Sequence, residues 1–69
     1  MGMMADIQVR LDKLEQDAIA ESDAKGDWLD LTDRLRRSGW YEVARGQLVC
    51  GASDRDVINF LKRGLANNL

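Results

Sequence analysis

The feature that most constrains this 69-residue chain is that it has no proline, while glycines at positions 26, 39, 46, 51 and 64 recur as punctuation. Proline-free stretches closed by glycine read as helices joined by tight turns. The expected fold is therefore all-α: a small helical bundle with a long amphipathic N-terminal helix and three short helices. The spacing places these near 6–24, 27–38, 40–50 and 53–66. Residues 1–5 read as a flexible N-terminus, and 6–69 as a single helical domain.

The first segment carries Met4, Ile7, Leu11, Leu14 and Ala18 at alternating steps of three and four, which sets them on one seam. Arg10 and Glu15 flank that seam, placed to pair between two parallel chains. Only two heptads are sustained before Glu21 interrupts, fewer than a coiled coil shows. Two readings follow: an intermolecular seam, or a helix packing on its own domain. The second segment opens on Asp27 as N-cap, with Asp30 in its first turn. Trp28, Leu31 and Leu35 form its stripe, and Arg36, Arg37 and Gly39 close it. The fourth repeats this grammar with Ser53, Asp56, a stripe of Val57, Ile58, Leu61 and Leu65, then Lys62, Arg63 and Gly64. Two copies are too few for a solenoid, so the likeness is shared helix grammar.

The third segment, Trp40–Cys50, is ambiguous. As a helix it sets Trp40, Val43, Ala44 and Leu48 on one face, Tyr41 at the edge, and Glu42, Arg45 and Val49 outside. As a hairpin it would turn at Arg45-Gly46, a pair poorly suited to a two-residue turn. The helix is the preferred reading.

A domain of this size is marginal alone and commonly gains a disulfide, a structural metal or self-association. One cysteine, Cys50, excludes an intrachain disulfide, and the lack of histidine excludes an ordinary zinc site within one chain. Regular packing and a homo-oligomer remain, most simply a dimer through Met4, Ile7, Leu11, Leu14 and Ala18. Cys50 reads as a small buried residue in a reducing compartment. The first residues lack a secretory h-region, and no apolar run approaches a membrane span, so the expectation is a cytoplasmic protein without membrane contact.

Charge is segregated. Residues 1–30 hold three basic and eight acidic side chains, a net of −5; residues 31–69 hold seven basic and four acidic, a net of +3. This suggests a charged partner surface or opposite halves meeting in an oligomer, although helix-dipole complementarity explains several of these residues.

Catalytic signatures are missing. Without histidine there is no Ser-His-Asp or Cys-His arrangement, and the glycines form no phosphate loop. Glu21–Asp27 resembles a calcium loop weakly, but Lys25 and Thr32 fill ligand positions. No enzyme activity, cofactor or metal is expected. Two function classes remain. The preferred one is a protein-interaction module, a regulator, inhibitor, adaptor or co-chaperone of a larger protein, with Tyr41, Phe60, Arg37, Arg45 and Arg63 as anchors. The alternative is a helix-turn-helix over Val43–Arg63 that binds DNA through Arg55, Asn59, Lys62 and Arg63. The net charge of −2 and the acidic N-terminal half weigh against nucleic acid.

Overall fold

In the computed structural model, residues 3–24 and 26–67 are described, with side chains from Asp6 onward. They form four helices: α1 (Met3–Glu21), α2 (Trp28–Ser38), α3 (Trp40–Val49) and α4 (Asp54–Ala66), with no strand among the described residues. The all-α expectation holds, and the hairpin alternative for Trp40–Cys50 does not: Arg45-Gly46 lies inside α3. α1 starts at Met3, where the spacing had placed it near Asp6, and it ends at Glu21 instead of residue 24. The end has a local cause. The Ser22 hydroxyl donates to the Ile19 carbonyl at 3.1 Å, while its N–H reaches Ala18 at 2.9 Å, so Ser22 satisfies two of the last carbonyls of the helix.

The other boundaries follow their caps. Asp27 accepts the Asp30 N–H at 2.8 Å, and Ser53 accepts the Asp56 N–H at 3.2 Å. Gly39 ends α2 and starts α3 in a single residue at φ 88°, a left-handed conformation that a side chain would strain. Gly39 is the one residue between α2 and α3. Gly46 and Gly64, by contrast, are not turns; both lie within helices.

The core joins all four helices: Leu11, Leu14 and Ala18 from α1, Leu31 and Leu35 from α2, Tyr41, Ala44 and Leu48 from α3, and Val57, Ile58, Leu61 and Leu65 from α4. α1 runs along α4 and also touches α2 and α3, giving a body of 35 × 20 × 19 Å. The N-terminal seam is thus occupied inside its own chain. Leu11 and Ala18 are fully buried, Leu14 nearly so, and Ile7 packs partly on the same core. Leu11, Leu14 and Ala18 are not available to a second chain while the bundle is folded, whereas Ile7 keeps part of its surface. The Met4 side chain, the fifth member of the expected dimer seam, lies outside the described residues.

Three side chains depart from the expected stripes. Trp28 is 44% exposed, because it stands at the first position of α2 and overhangs its end. Val43 is 53% exposed whereas Tyr41 is buried, so α3 is rotated from the face expected. The stripes Trp40–Val43–Ala44–Leu48 and Tyr41–Ala44–Leu48 share two residues, and helical spacing does not choose between them. The choice rests on distant partners, since Tyr41 finds hydrogen bonds on α1 for its hydroxyl. Cys50 is exposed, not buried, because it caps α3 immediately before the Gly51 turn.

Candidate protein-interaction surface

Most of the chain's charge is neutralised internally, and this decides which residues remain for a partner. Tyr41 is the centre of one cluster. Its hydroxyl donates to Asp12 at 2.6 Å and accepts from the Gln8 amide. Two guanidinium groups lie over its ring, Arg36 at 4.7 Å and Arg45 at 5.7 Å from the centroid. Arg45 also donates to Gln8 Oε1 at 2.5 Å and faces Glu42 at 3.6 Å. Burial, and then the bond to Asp12, push the phenol's pKa above its ordinary value.

Glu15 belongs to this cluster. Expected beside the seam, where it could pair with a second chain, it is 1% exposed, with Oε1 accepting from Arg36 at 3.2 Å and Oε2 left without a hydrogen bond. Loss of hydration raises its pKa despite the opposing pull of Arg36. Arg36 is shared with Asp12 at 3.6 Å, so one cation serves two carboxylates. The cluster fastens α1 to α2 and α3. Its arginines lie on an aromatic ring and against carboxylates, so it offers no free cation for a ligand.

A second cluster joins α4 to α1. Glu21 accepts from Arg55 at 2.7 Å and from Lys62 at 3.2 Å. Both bonds lower the Glu21 pKa, and Arg55 is raised in return. Glu21 sits at the negative end of the α1 dipole, where a carboxylate is unfavourable and the last turn has no basic residue. The two α4 cations supply what α1 lacks. Arg10 likewise binds Asp54, with Nε donating at 2.7 Å. The acidic and basic halves therefore meet within one chain.

Of the five expected protein-binding anchors, Tyr41 and Arg45 are engaged in the first cluster. Arg37 is exposed on α2, paired with Asp33 at 3.0 Å, and borders a separate cleft there. Phe60 and Arg63 come together elsewhere, outside that cluster. They line a groove of about 430 Å³ between α3 and α4 with Gln47, Ala52, Asp56 and Asn59. The Phe60 ring lies 4.4 Å from that of Trp40, tilted by 39°, and both are partly buried. Trp40 lies over Gly64, which has no side chain to hold it off. Trp40, Val43 and Gln47 share one side of α3 by their spacing of three and four.

Arg63 also borders a larger open cleft of about 590 Å³, between the end of α1 and α4, whose walls include Glu21, Asp23, Asn59 and Lys62. Among the described residues Arg63 is the one arginine without a carboxylate partner. Of the four residues of the DNA-binding alternative, Arg55 and Lys62 hold Glu21, while Asn59 and Arg63 remain exposed. Sequence reasoning missed Trp40 and Asp56 as parts of this surface. The available signal was the placement of Asp56, Phe60 and Arg63 on one side of α4, at steps of four and three.

No group of three or more His, Cys, Asp or Glu side chains among the described residues could hold a metal ion, and no described helix is long and apolar enough to cross a membrane. The chain matches no protein-family model, no curated protein and no solved structure.

Proposed function

We propose that this chain is a non-enzymatic helical protein-interaction module, a regulator, inhibitor, adaptor or co-chaperone that acts through the face shared by α3 and α4. The observation that carries the reading is the groove that Phe60 lines together with Arg63, an arginine with no carboxylate partner among the described residues, with Trp40 stacked on Phe60. Aromatic side chains with an adjacent arginine are the composition of interface hot spots, and mixed charge at the rim suits a protein partner. A single cysteine, which has no partner for an intrachain disulfide, fits a reducing compartment, and we place the module in the cytoplasm.

The same geometry lowers the standing of DNA as a partner. Reaching phosphates with Arg55 and Lys62 would require breaking both contacts to Glu21, which would then face the duplex as an uncompensated carboxylate. The test is a titration into labelled duplex DNA at about 50 and 200 mM salt. It is run beside capture of partner proteins from the native host, with wild type and Phe60→Ala as bait. Weak or absent DNA binding, with a protein captured by wild type and released by Phe60→Ala, is the expected outcome. Sub-micromolar DNA binding with a steep salt slope, lost in Arg55→Ala and Lys62→Ala, would establish the helix-turn-helix instead.

A further inference from the structure

We infer that a second copy of this chain covers the outer face of α4, antiparallel to the first and related to it by a two-fold axis passing between Asn59 and Phe60. This names a partner for the contact face proposed above and rests on that reading.

The inward side of α4 is Val57, Ile58, Leu61, Gly64 and Leu65, all buried. The opposite side carries Asp56, Asn59 and Arg63, all exposed, with Phe60 at the edge toward α3. Asp56 and Arg63 are seven residues apart, so they stand on the same side of the helix, about 10 Å apart along its axis. Neither has an ion-pair partner among the described residues, in a protein where every other described arginine has one. Among the described residues the face thus ends in an unpaired negative charge and an unpaired positive charge, with Asn59 between them and Phe60 at its α3 edge.

That pattern selects its occupant. A uniformly acidic segment would meet Asp56, and a uniformly basic one would meet Arg63. The fitting segment carries the two charges at the same spacing in the opposite direction, and α4 of a second copy, turned antiparallel, is such a segment. Asp56 then faces the partner's Arg63, and Arg63 faces the partner's Asp56. Each pair is generated from the other by the two-fold axis, as an isologous interface requires. Parallel alignment would instead set like charges together at both ends. The partly buried Phe60 and Trp40 and the exposed Val43 add an apolar margin on the α3 side. A chain this small, without a disulfide, gains stability from such a contact.

The experiment is analytical ultracentrifugation of the full chain from low to high micromolar concentration. Wild type is expected to self-associate, and Asp56→Arg and Arg63→Asp are each expected to raise the dimer dissociation constant by about tenfold or more. An equimolar mixture of the two variants should recover dimer, because the mixed pair sets opposite charges together at both ends. Where circular dichroism shows that either reversal unfolds the bundle, Asp56→Asn and Arg63→Gln take their place, each expected to weaken association severalfold. A wild type that stays monomeric, association indifferent to these changes, or a mixture no better than its components would overturn the two-fold contact. A monomer whose captured host protein still depends on Phe60 overturns this inference and leaves the interaction reading intact. A monomer with no Phe60-dependent capture overturns both.

Discussion

The two helical glycines predict opposite outcomes for the same substitution. A Cβ on Gly64 would lie 2.8 Å from Trp40 Cδ2, 3.0 Å from Cε3 and 3.2 Å from Cγ. Carbon atoms rest at about 3.5–4.0 Å, so the indole must retreat by several tenths of an ångström or more. These are atoms of a rigid ring close to its attachment, and moving them lifts Trp40 from Phe60, which stands one turn before Gly64 on α4. Overpacking of this kind costs about 1–3 kcal/mol, whereas replacing a mid-helix glycine by alanine returns about 0.8–1 kcal/mol. Gly64→Ala should therefore be neutral to about 2 kcal/mol less stable.

Gly46 is the control. It also lies inside a helix, and a Cβ there would meet nothing within 4 Å. Gly46→Ala should gain about 0.5–1 kcal/mol, seen as a melting temperature about 2–8 °C higher for a domain of this size. Thermal and urea unfolding followed by circular dichroism measure both variants, and the gap between them isolates the contact with Trp40. In a Trp28→Phe background, Gly64→Ala should also red-shift the emission of Trp40. Equal stabilisation by both alanines would refute the packing of Trp40 on α4.

Three further outcomes follow from the polar contacts. The raised pKa of Glu15 means that its buried charge opposes folding at neutral pH, fully above the raised value, and that the penalty fades as pH falls to the ordinary glutamate value. Glu15→Gln should match wild type or exceed it by up to about 1 kcal/mol at neutral pH, with the advantage shrinking through that window in pH-dependent melts. Glu21 has the opposite sign: its contribution is present above the ordinary value and lost as pH falls through its depressed pKa, so Glu21→Gln should flatten the acid limb of the same curve. Tyr41→Phe leaves Asp12 and Gln8 without their shared partner and should cost about 0.5–2 kcal/mol in urea unfolding, with the helical content retained.

What was legible in the sequence had a local cause. The stripes Leu31–Leu35 and Val57–Ile58–Leu61–Leu65 follow from period alone, and the caps Asp27, Gly39 and Ser53 act within four residues of themselves. The illegible parts depend on what another helix offers. Tyr41 replaces Val43 in the core because α1 presents Asp12 and Gln8 to its hydroxyl. α4 continues through Gly64 as the spacing expects, but that glycine there makes room for Trp40 depends on α3. The N-terminal seam was read correctly as a seam, but period does not say which chain it faces. Three companion helices with apolar stripes of their own occupy it first.

The segregation of charge in the sequence has a similar resolution. Read as a list, −5 against +3 invites an external partner of complementary charge. In the fold, Arg36 binds Glu15 and Asp12, Arg34 binds Asp30, and Arg55 and Lys62 bind Glu21, so four cations of the second half meet carboxylates of the first. Exposed pairs of this kind contribute little stability individually, but opposite charges on facing helices disfavour alternative packings in which like charges would meet. The asymmetry therefore helps specify how the helices pack within the chain. Bulk charge is consequently a poor guide to the partner of this bundle. The better guide is what internal pairing leaves over on α4, Asp56 and Arg63 on either side of Phe60, a pattern in which neither sign dominates and an antiparallel copy of the same helix is the complement.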